Sequence, residues 1–379
     1  MDIVSLEVFS IALMFVATYW LLPRSLQLYY LVIASIFCFV FMEYYASLFW
    51  LLLLSGACYL FSGRLSILVS SRVAVPIGIL AFILFLVLYK FKVQAGGSYF
   101  VILGASYYVM RMLHYLIESS RHQLPDHSFV EFLAYCFFLP TLFVGPINRF
   151  PDFVRDERRR RWDSRLFHQG LERILFGYFK VIVVANYLLG VKLADYTETL
   201  QGDTTALGAW MLCLEYGMDL YFRFGGYCDV AIGVAALLGF RIPENFNYPF
   251  IRRNIAAFWK SWHITLSSWC RDYIFIPVAH SLRSPAAGVL LSMIALGLWH
   301  EISARYIVWG LYHGVGIVIF QYWSRAKVKM FPVAILPKFI TASLGIVITF
   351  NFVILSFAIT RTDSLSGAFR VYQTIFGVA

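Results

Sequence analysis

Three histidines stand in strongly apolar sequence between Trp262 and Gly314: His263 in WHITLSSWCRDYIFIPV, and His300 and His313 in LGLWHEISARYIVWGLYHG. His280 sits apart, beside the loop-like SLRSP. An ionisable side chain placed in a membrane is costly and marks a functional site by default. Imidazole suits one task in particular. A hydroxyl is a poor nucleophile, and a positioned base that titrates near the working pH activates it. The competing reading of His300 is a structural histidine bonded to a carbonyl. His313 follows His300 at a spacing of about 220° around a continuous helix, which turns it away from His300. A paired or metal-bridged His300–His313 site is therefore not expected, and no acidic cluster completes one.

Other polar residues recur at helical spacing. Ile255, Phe258, Trp259 and Trp262 form one apolar face, with Arg252, Arg253 and Lys260 opposite, as in an interfacial helix. If that helix continues, Lys260, His263, Ser267 and Arg271 line up as a stripe facing a wet cavity; an ordinary amphipathic surface helix is the alternative. Glu215, Asp219 and Arg223 follow one another at i+4, an intrahelical charge ladder with a structural role. Tyr227 and Asp229 lie in GGYCDVAIG, where glycines permit close backbone approach. Arg111, His114 and Glu118 share a face, with His114 packed or paired.

These residues need a scaffold, and composition says which kind. Of 379 residues 60% are hydrophobic and 14% charged, against about 25% charged in a soluble domain. The chain reads as an all-α, polytopic membrane protein with about 10–12 transmembrane or re-entrant helices, forming one domain over residues 1–379 without internal repeats. The net charge of +10 comes from basic residues placed between apolar runs, which is topology control at a membrane surface and not nucleic-acid binding. Six cysteines scattered through apolar stretches behave as small buried hydrophobes. Ile3–Leu22 lacks a basic leader and a cleavage site, so it is expected to be a retained first span.

Further spans are expected at Leu28–Phe41, Leu51–Phe61, Val73–Tyr89, Tyr99–Ile117, Phe129–Val144, Ile174–Leu189, Leu207–Phe222, Val308–Trp323 and Ile340–Ile359. The arginines of Asp152–Arg165 place that loop in the cytoplasm, as Arg64 and Arg72 do theirs, while the acidic Lys192–Asp203 suits the outer face. Strict alternation then fails, so Tyr99–Ile117 or Phe129–Val144 is expected to be re-entrant or tilted. Ser364–Phe376 reads as an amphipathic interfacial helix.

At the histidine blocks the sequence becomes recognisable. FWKSWHITLSSWCRDYIFIP and GLWHEISARYIVWGLYHG resemble the two signature blocks of the membrane-bound O-acyltransferase family, in its bacterial branch. SYYVMRMLHYLIE, FFLPTLFVGPINRF and YFRFGGYCDVAIGVAALLGFRIPENFNYPF agree in order and spacing. The resemblance implies a helical fold around a tunnel or funnel. It maps the family's invariant histidine onto His300, as general base or transient acyl carrier, and a second, variable polar position onto His263, orienting the acyl donor or stabilising the oxyanion.

The resemblance also implies acyl transfer from a cytoplasmic thioester to an extracytoplasmic hydroxyl. Acetyl-CoA or an acyl carrier protein is the expected donor, with no tightly bound cofactor or metal. An extracytoplasmic polysaccharide-modifying partner, membrane lipid and the bacterial cytoplasmic membrane complete the picture. The tail ITRTDSLSGAFRVYQTIFG favours acetyl or short-acyl transfer to an exported polysaccharide or cell-wall glycan. D-alanyl transfer towards teichoic acid is the alternative, and a transporter or flippase the non-enzyme one. Relatives with similar tails continue further, so a truncated or compact chain is expected.

Three departures stand out. Glu301 follows His300 where relatives carry a small residue, and it is expected to pair with Arg305 at i+4. Arg223 and Gly225 replace the usual Asp and Ser of that block. The connection from His263 to His300 is short.

Overall fold

The computed structural model describes residues 4–64, 71–94, 96, 102, 104–200, 204–330 and 337–378. Ile3, Asp203 and residues 99–101 of the expected spans and loops fall outside these, as do the side chains of Arg64 and Arg72. All regular structure among the described residues is helical. Among the described residues six helical segments are long and apolar enough to cross a membrane: Arg24–Phe41, Tyr45–Ser62, Val73–Gln94, Ser164–Thr199, Ala206–Leu237 and Lys338–Arg361. Their outward side chains are apolar; Phe37, Leu80 and Ile348, for example, are more than 60% exposed. Such a surface is stable only against lipid. The chain is a multi-pass membrane protein.

The fold divides into two compact units, Met1–Tyr178 with Gly226–Pro243, and Phe179–Gly225 with Glu244–Ala379. The first holds α1 (Leu6–Leu21), α2 (Arg24–Phe41), α3 (Tyr45–Tyr59), α4 (Ser71–Gln94), α5 (Ala105–Ser120), α6 (Phe129–Cys136), α7 (Phe150–Arg159) and α8 (Ser164–Tyr178). The polar face of α5 turns inward. Buried Arg111 donates to the Thr141 and Tyr135 carbonyls, and His114 Nε2 accepts the Phe150 N–H at 3.1 Å.

Among the described residues neither of the two segments that broke strict alternation is a helix long and apolar enough to cross a membrane, and the shorter of them is Phe129–Val144. Its helix α6 ends at Cys136, about 12 Å after it begins. Pro140 then enters a single tight turn, Leu139–Thr141, and Gly145 takes a positive φ of 144°. The arginine-rich α7 is partly neutralised on the spot: Arg158 pairs with Glu131 at 2.9 Å and buried Arg160 with Glu157 at 2.6 Å.

Helix α8 packs on the C-terminal half of α10 (Ala206–Leu237), where a β-carbon at Gly177 would lie 2.7 Å from the Gly226 carbonyl. Between such glycine contacts Arg173 reaches Asp229 at 2.6 Å.

The second unit begins with wide, i→i+5 turns over Phe179–Leu193 and α9 (Ala194–Thr199), followed by the first part of α10. After a tight turn at Pro249–Ile251 come α11 (Ile255–Trp259), α12 (Ile264–Cys270), α13 (Ile276–Ser281), α14 (Pro285–His300), α15 (Ala304–Met330), α16 (Lys338–Arg361) and α17 (Leu365–Phe376). The amphipathic helix expected at the tail is α17, capped by Ser364, with Phe369 and Phe376 exposed and Ala368 and Val371 buried.

Two expectations fail here. The helix expected to run from Arg252 past Trp262 is only α11. Its apolar face, Ile255, Phe258 and Trp259, is buried with Trp262 inside the unit and does not lie on a membrane surface. The backbone leaves the helix after Trp259, and His263 sits in the left-handed region at φ 43°. Lys260, His263, Ser267 and Arg271 therefore form no common stripe. Likewise, His300 and His313 are not on one continuous helix. Helix α14 ends at His300, the chain turns through Glu301–Ser303, and α15 returns beside α14.

That hairpin is held by close approach of backbones. A β-carbon on Gly310 would stand 2.5 Å from the Met293 carbonyl, and one on Gly297 would collide with that of Tyr306. Gly310→Ala is expected to destabilise the detergent-solubilised protein by about 1–3 kcal/mol. Gly225→Ala, whose β-carbon would meet nothing nearer than 3.8 Å, should leave the melting temperature almost unchanged. Equal melting temperatures for the two variants would contradict the packing.

Candidate active site

The second unit brings His263 and His300 together although 36 residues separate them. Their ring centroids lie 6.4 Å apart. Each is positioned by a different device. His300 is the last residue of α14, and Glu301 leaves in an extended conformation while its N–H closes back on the Gly297 carbonyl at 3.1 Å. Ending the helix there presents the imidazole beyond the last turn, where it is exposed. Aromatic rings frame it: Trp299 at 4.9 Å, Trp309 at 5.8 Å edge-on, and Tyr306 at 6.0 Å in a near-parallel stack.

His263 is buried at 3% exposure, with Phe224 at 4.9 Å and Trp299 at 5.9 Å. Its left-handed backbone is sparsely populated for a residue with a β-carbon and persists only where surroundings fix it. Here residues 245–247 do so. Asn247 N–H donates to the Ser261 carbonyl and Ile264 N–H to the Asn245 carbonyl, at 3.0 and 2.9 Å. The fully buried Asn245 side chain adds a three-way junction: its Oδ1 accepts from Thr265 N at 3.2 Å, Thr265 Oγ1 at 2.9 Å and His263 Nδ1 at 3.2 Å.

A backbone N–H can only donate, so the amide atom facing Thr265 is the oxygen. The proton of a neutral His263 must then sit on Nδ1, which leaves Nε2 as an acceptor.

The other residues of interest separate cleanly. Glu301 and Arg305 pair at 2.6 Å, as their spacing led one to expect. Arg305 also donates to the Thr360 carbonyl at 3.4 Å and lies 5.2 Å over the Tyr306 ring. His313 is buried on α15, shares Trp309 as a ring neighbour at 4.9 Å, and meets Ser356 Oγ at 3.0 Å through Nε2. It packs α15 against α16 and is separated from His300 by Trp309. Ser267 Oγ donates to the Trp262 carbonyl at 3.1 Å. Arg271 is occupied by its neighbour Asp272 at 2.7 Å. Asp229 pairs with Arg173 in the first unit, with Tyr227 two residues before it.

The charge ladder on α10 is real only in its second half. Asp219 and Arg223 form a forked pair, at 2.6 and 3.1 Å, whereas Glu215 and Asp219 carry like charges.

Residues 3–361 match the membrane-bound O-acyltransferase family. The chain belongs to that family. Among similar proteins, the probable alginate O-acetylase of Pseudomonas aeruginosa is 36% identical over 279 residues, which cover 72% of this chain and 51% of that protein. The teichoic acid D-alanyltransferase of Streptococcus thermophilus is 33% identical over 298 residues, 72% of each chain. The peptidoglycan O-acetyltransferase of Helicobacter pylori is 32% identical over 257 residues, covering 66% of this chain and 47% of that one. The chain spans about half the length of the alginate O-acetylases it matches.

Sequence reasoning missed Asn245, Tyr306 and Trp309. Asn245 stood in plain view in ENFNYPF, but a polar residue in a loop carries no periodic signal. Only the chain reversal at His263 gives its amide a task. Asn245→Ala would remove the acceptor shared by the His263 imidazole N–H and the two Thr265 donors. A loss of about 2–4 kcal/mol in stability is expected, since each unsatisfied buried donor costs roughly 1–3 kcal/mol. Asn245→Asp, which retains the acceptor, should melt closer to the parent protein. The reverse order in a thermal unfolding assay would remove the junction from this account.

Proposed function

We propose that this protein is a membrane O-acyltransferase that moves an acetyl or other short acyl group from a cytoplasmic thioester, such as acetyl-CoA, to hydroxyls of an exported polysaccharide or cell-wall glycan, through a partner protein. The observation that carries the reading is the pairing of an exposed His300 at a helix end with a buried, backbone-locked His263 behind it.

In this reaction His300 takes the proton of the acceptor hydroxyl as its oxygen attacks the thioester carbonyl. The resulting tetrahedral intermediate collapses with cleavage of the C–S bond, and the departing thiolate receives the proton from His300. Product ester and free thiol result, with no oxidant or reductant needed. The tautomer that Asn245 imposes on His263 supports an orienting role: a neutral ring with its proton on Nδ1 offers an acceptor at Nε2, not a donor to an oxyanion. The aromatic frame of Trp299, Tyr306 and Trp309 supports exclusion of bulk water from the thioester, which limits hydrolysis. D-alanyl transfer is the second reading, favoured by the fuller match to a D-alanyltransferase, 72% of its length against 51% for the alginate O-acetylase.

Three chains expressed at equal levels decide the assignment: wild type, His300→Ala and His263→Ala, compared by the acyl content of the cell-surface polymer. Loss of a general base is expected to reduce transfer about 100-fold or more, with a smaller loss for His263→Ala. Full acylation by His300→Ala would end the catalytic proposal. Chemical identification of the missing group separates acetyl from D-alanyl. For orientation, a cysteine introduced as Arg159→Cys should react with an impermeant maleimide from the cytoplasmic side; labelling from outside alone would invert the topology.

A further inference from the structure

Two cavities share a wall at one end of the first unit, and the acyl-transfer reading gives neither of them a task. One, of about 430 Å³, is lined by Arg155, Arg158 and Arg159 of α7 and by His122, with no carboxylate in its wall among the described residues. The other, of about 320 Å³, is lined by Ser62, Tyr115, Ser119, Asp126 and His127. His122, Leu124 and Pro125 belong to both. Both volumes are those of small-ligand clefts.

The cavities lie where membrane-crossing helices end. Ser62 is the last residue of the segment Tyr45–Ser62, and its carbonyl accepts from Ser119 Oγ, near the end of α5, at 2.7 Å. Arg24, the first residue of the segment Arg24–Phe41, donates to the Arg160 carbonyl just past α7 at 3.2 Å. Phe129, which begins α6, and Trp162, which follows α7, are 45% and 54% exposed, as aromatic rings are at the boundary between lipid and water. Helix α7 therefore lies at the depth of lipid headgroups.

Chemistry selects the ligand. Arg155 is matched by Asp152 at 2.7 Å and Asp156 at 3.3 Å. Arg158 spends Nε on Glu131 at 2.9 Å and Nη2 on the Asp126 carbonyl, which leaves its Nη1 to donate. Arg159 makes no hydrogen bond or ion pair among the described residues. A guanidinium with its fork unspent suits a phosphate. In the second cavity the Asp126 carboxylate accepts no hydrogen bond among the described residues, and a carboxylate welcomes hydroxyl donors. A nucleotide or pyrophosphate would bring a second negative group against it. One phosphate followed by a hydroxylated end meets cations in the first cavity and an acceptor in the next.

We propose that these two cavities hold the headgroup of an anionic phospholipid such as phosphatidylglycerol, its phosphate on Arg158 and Arg159 and its hydroxyls against Asp126. Basic pockets beside membrane helices recognise anionic headgroups in this way. The bound lipid ties α7 and residues 122–127 to one leaflet.

The test counts lipid bound to the purified full-length protein by native mass spectrometry, at one ionic strength. Short-chain phosphatidylglycerol should bind about tenfold or more tightly than phosphatidylcholine with the same chains. Phosphatidylmethanol, equally charged but without hydroxyls, should bind about threefold or more weakly than phosphatidylglycerol. Arg159→Gln should weaken phosphatidylglycerol about tenfold, because charge-assisted hydrogen bonds are lost. Arg161→Gln removes the same charge from an exposed residue outside both cavities, and should stay within about twofold of the parent.

Equal affinity for phosphatidylglycerol and phosphatidylcholine would overturn the site. Equal losses in the two variants would reduce it to diffuse surface charge, and displacement of the lipid by equimolar inorganic phosphate would hand it to a soluble ligand; either result refutes the lipid. Binding of phosphatidylmethanol as tight as that of phosphatidylglycerol would remove the second cavity from the proposal. Arg159→Gln breaks no bond and should melt with the parent. If it melts lower, Arg159→Lys replaces it, keeping the charge without the fork, and should weaken phosphatidylglycerol about threefold; unchanged binding would again refute the site.

Discussion

A charge or polar group placed among apolar helices has to bring its partner with it, and this constraint shapes both units. Arg111 finds two carbonyls, Arg173 finds Asp229, and Arg223 finds Asp219. His313 meets Ser356, and His263 meets Asn245. In water many such pairs would contribute little. Away from it, an unmatched partner carries the full cost of its desolvation, so each pair fixes the rotation of a helix about its axis and the register of its neighbours. Glycines complete the arrangement by letting backbones approach where no polar pair is needed, as at Gly177, Gly297 and Gly310.

The candidate site is the place where this rule is applied asymmetrically. His263 is held through Nδ1 to the Asn245 side chain, with the next residue's N–H on the Asn245 carbonyl, while His300 protrudes from a helix end among aromatic rings. A rigid histidine behind an accessible one is a sound arrangement for proton transfer, because the accessible ring then has few orientations to explore. Glu301 belongs to the same device. Its carboxylate is tied to Arg305, and Arg305 leans on Tyr306, the ring stacked against His300. The unusual residue thus braces the turn that ends α14 and does not sit as a free charge beside the imidazole.

Membership of a family of acyltransferases and the half-length coverage of the alginate O-acetylases are compatible facts. The family match, residues 3–361, includes both histidine blocks. Within it two charge pairs are local to one helical turn, Arg223 with Asp219 and Glu301 with Arg305.

The amino-acid sequence by itself determined that the chain is helical and membrane-embedded, because a bilayer demands long apolar runs and their composition is visible without coordinates. It also singled out His263 and His300 as candidates, since the blocks around them are local strings, and it placed the Glu301–Arg305 pair, whose i+4 spacing is local too. Periodicity went wrong where the chain stops being periodic. The stripe from Lys260 to Arg271 and the angle between His300 and His313 both assumed an unbroken helix, but one helix ends at Trp259 and the other at His300. Only tertiary structure decided that Asn245 holds His263, that the His300 ring stands 6.4 Å from that of His263, and that His313 meets Ser356. Each of these joins residues far apart in the chain, and no spacing rule along one helix reports a contact made across two.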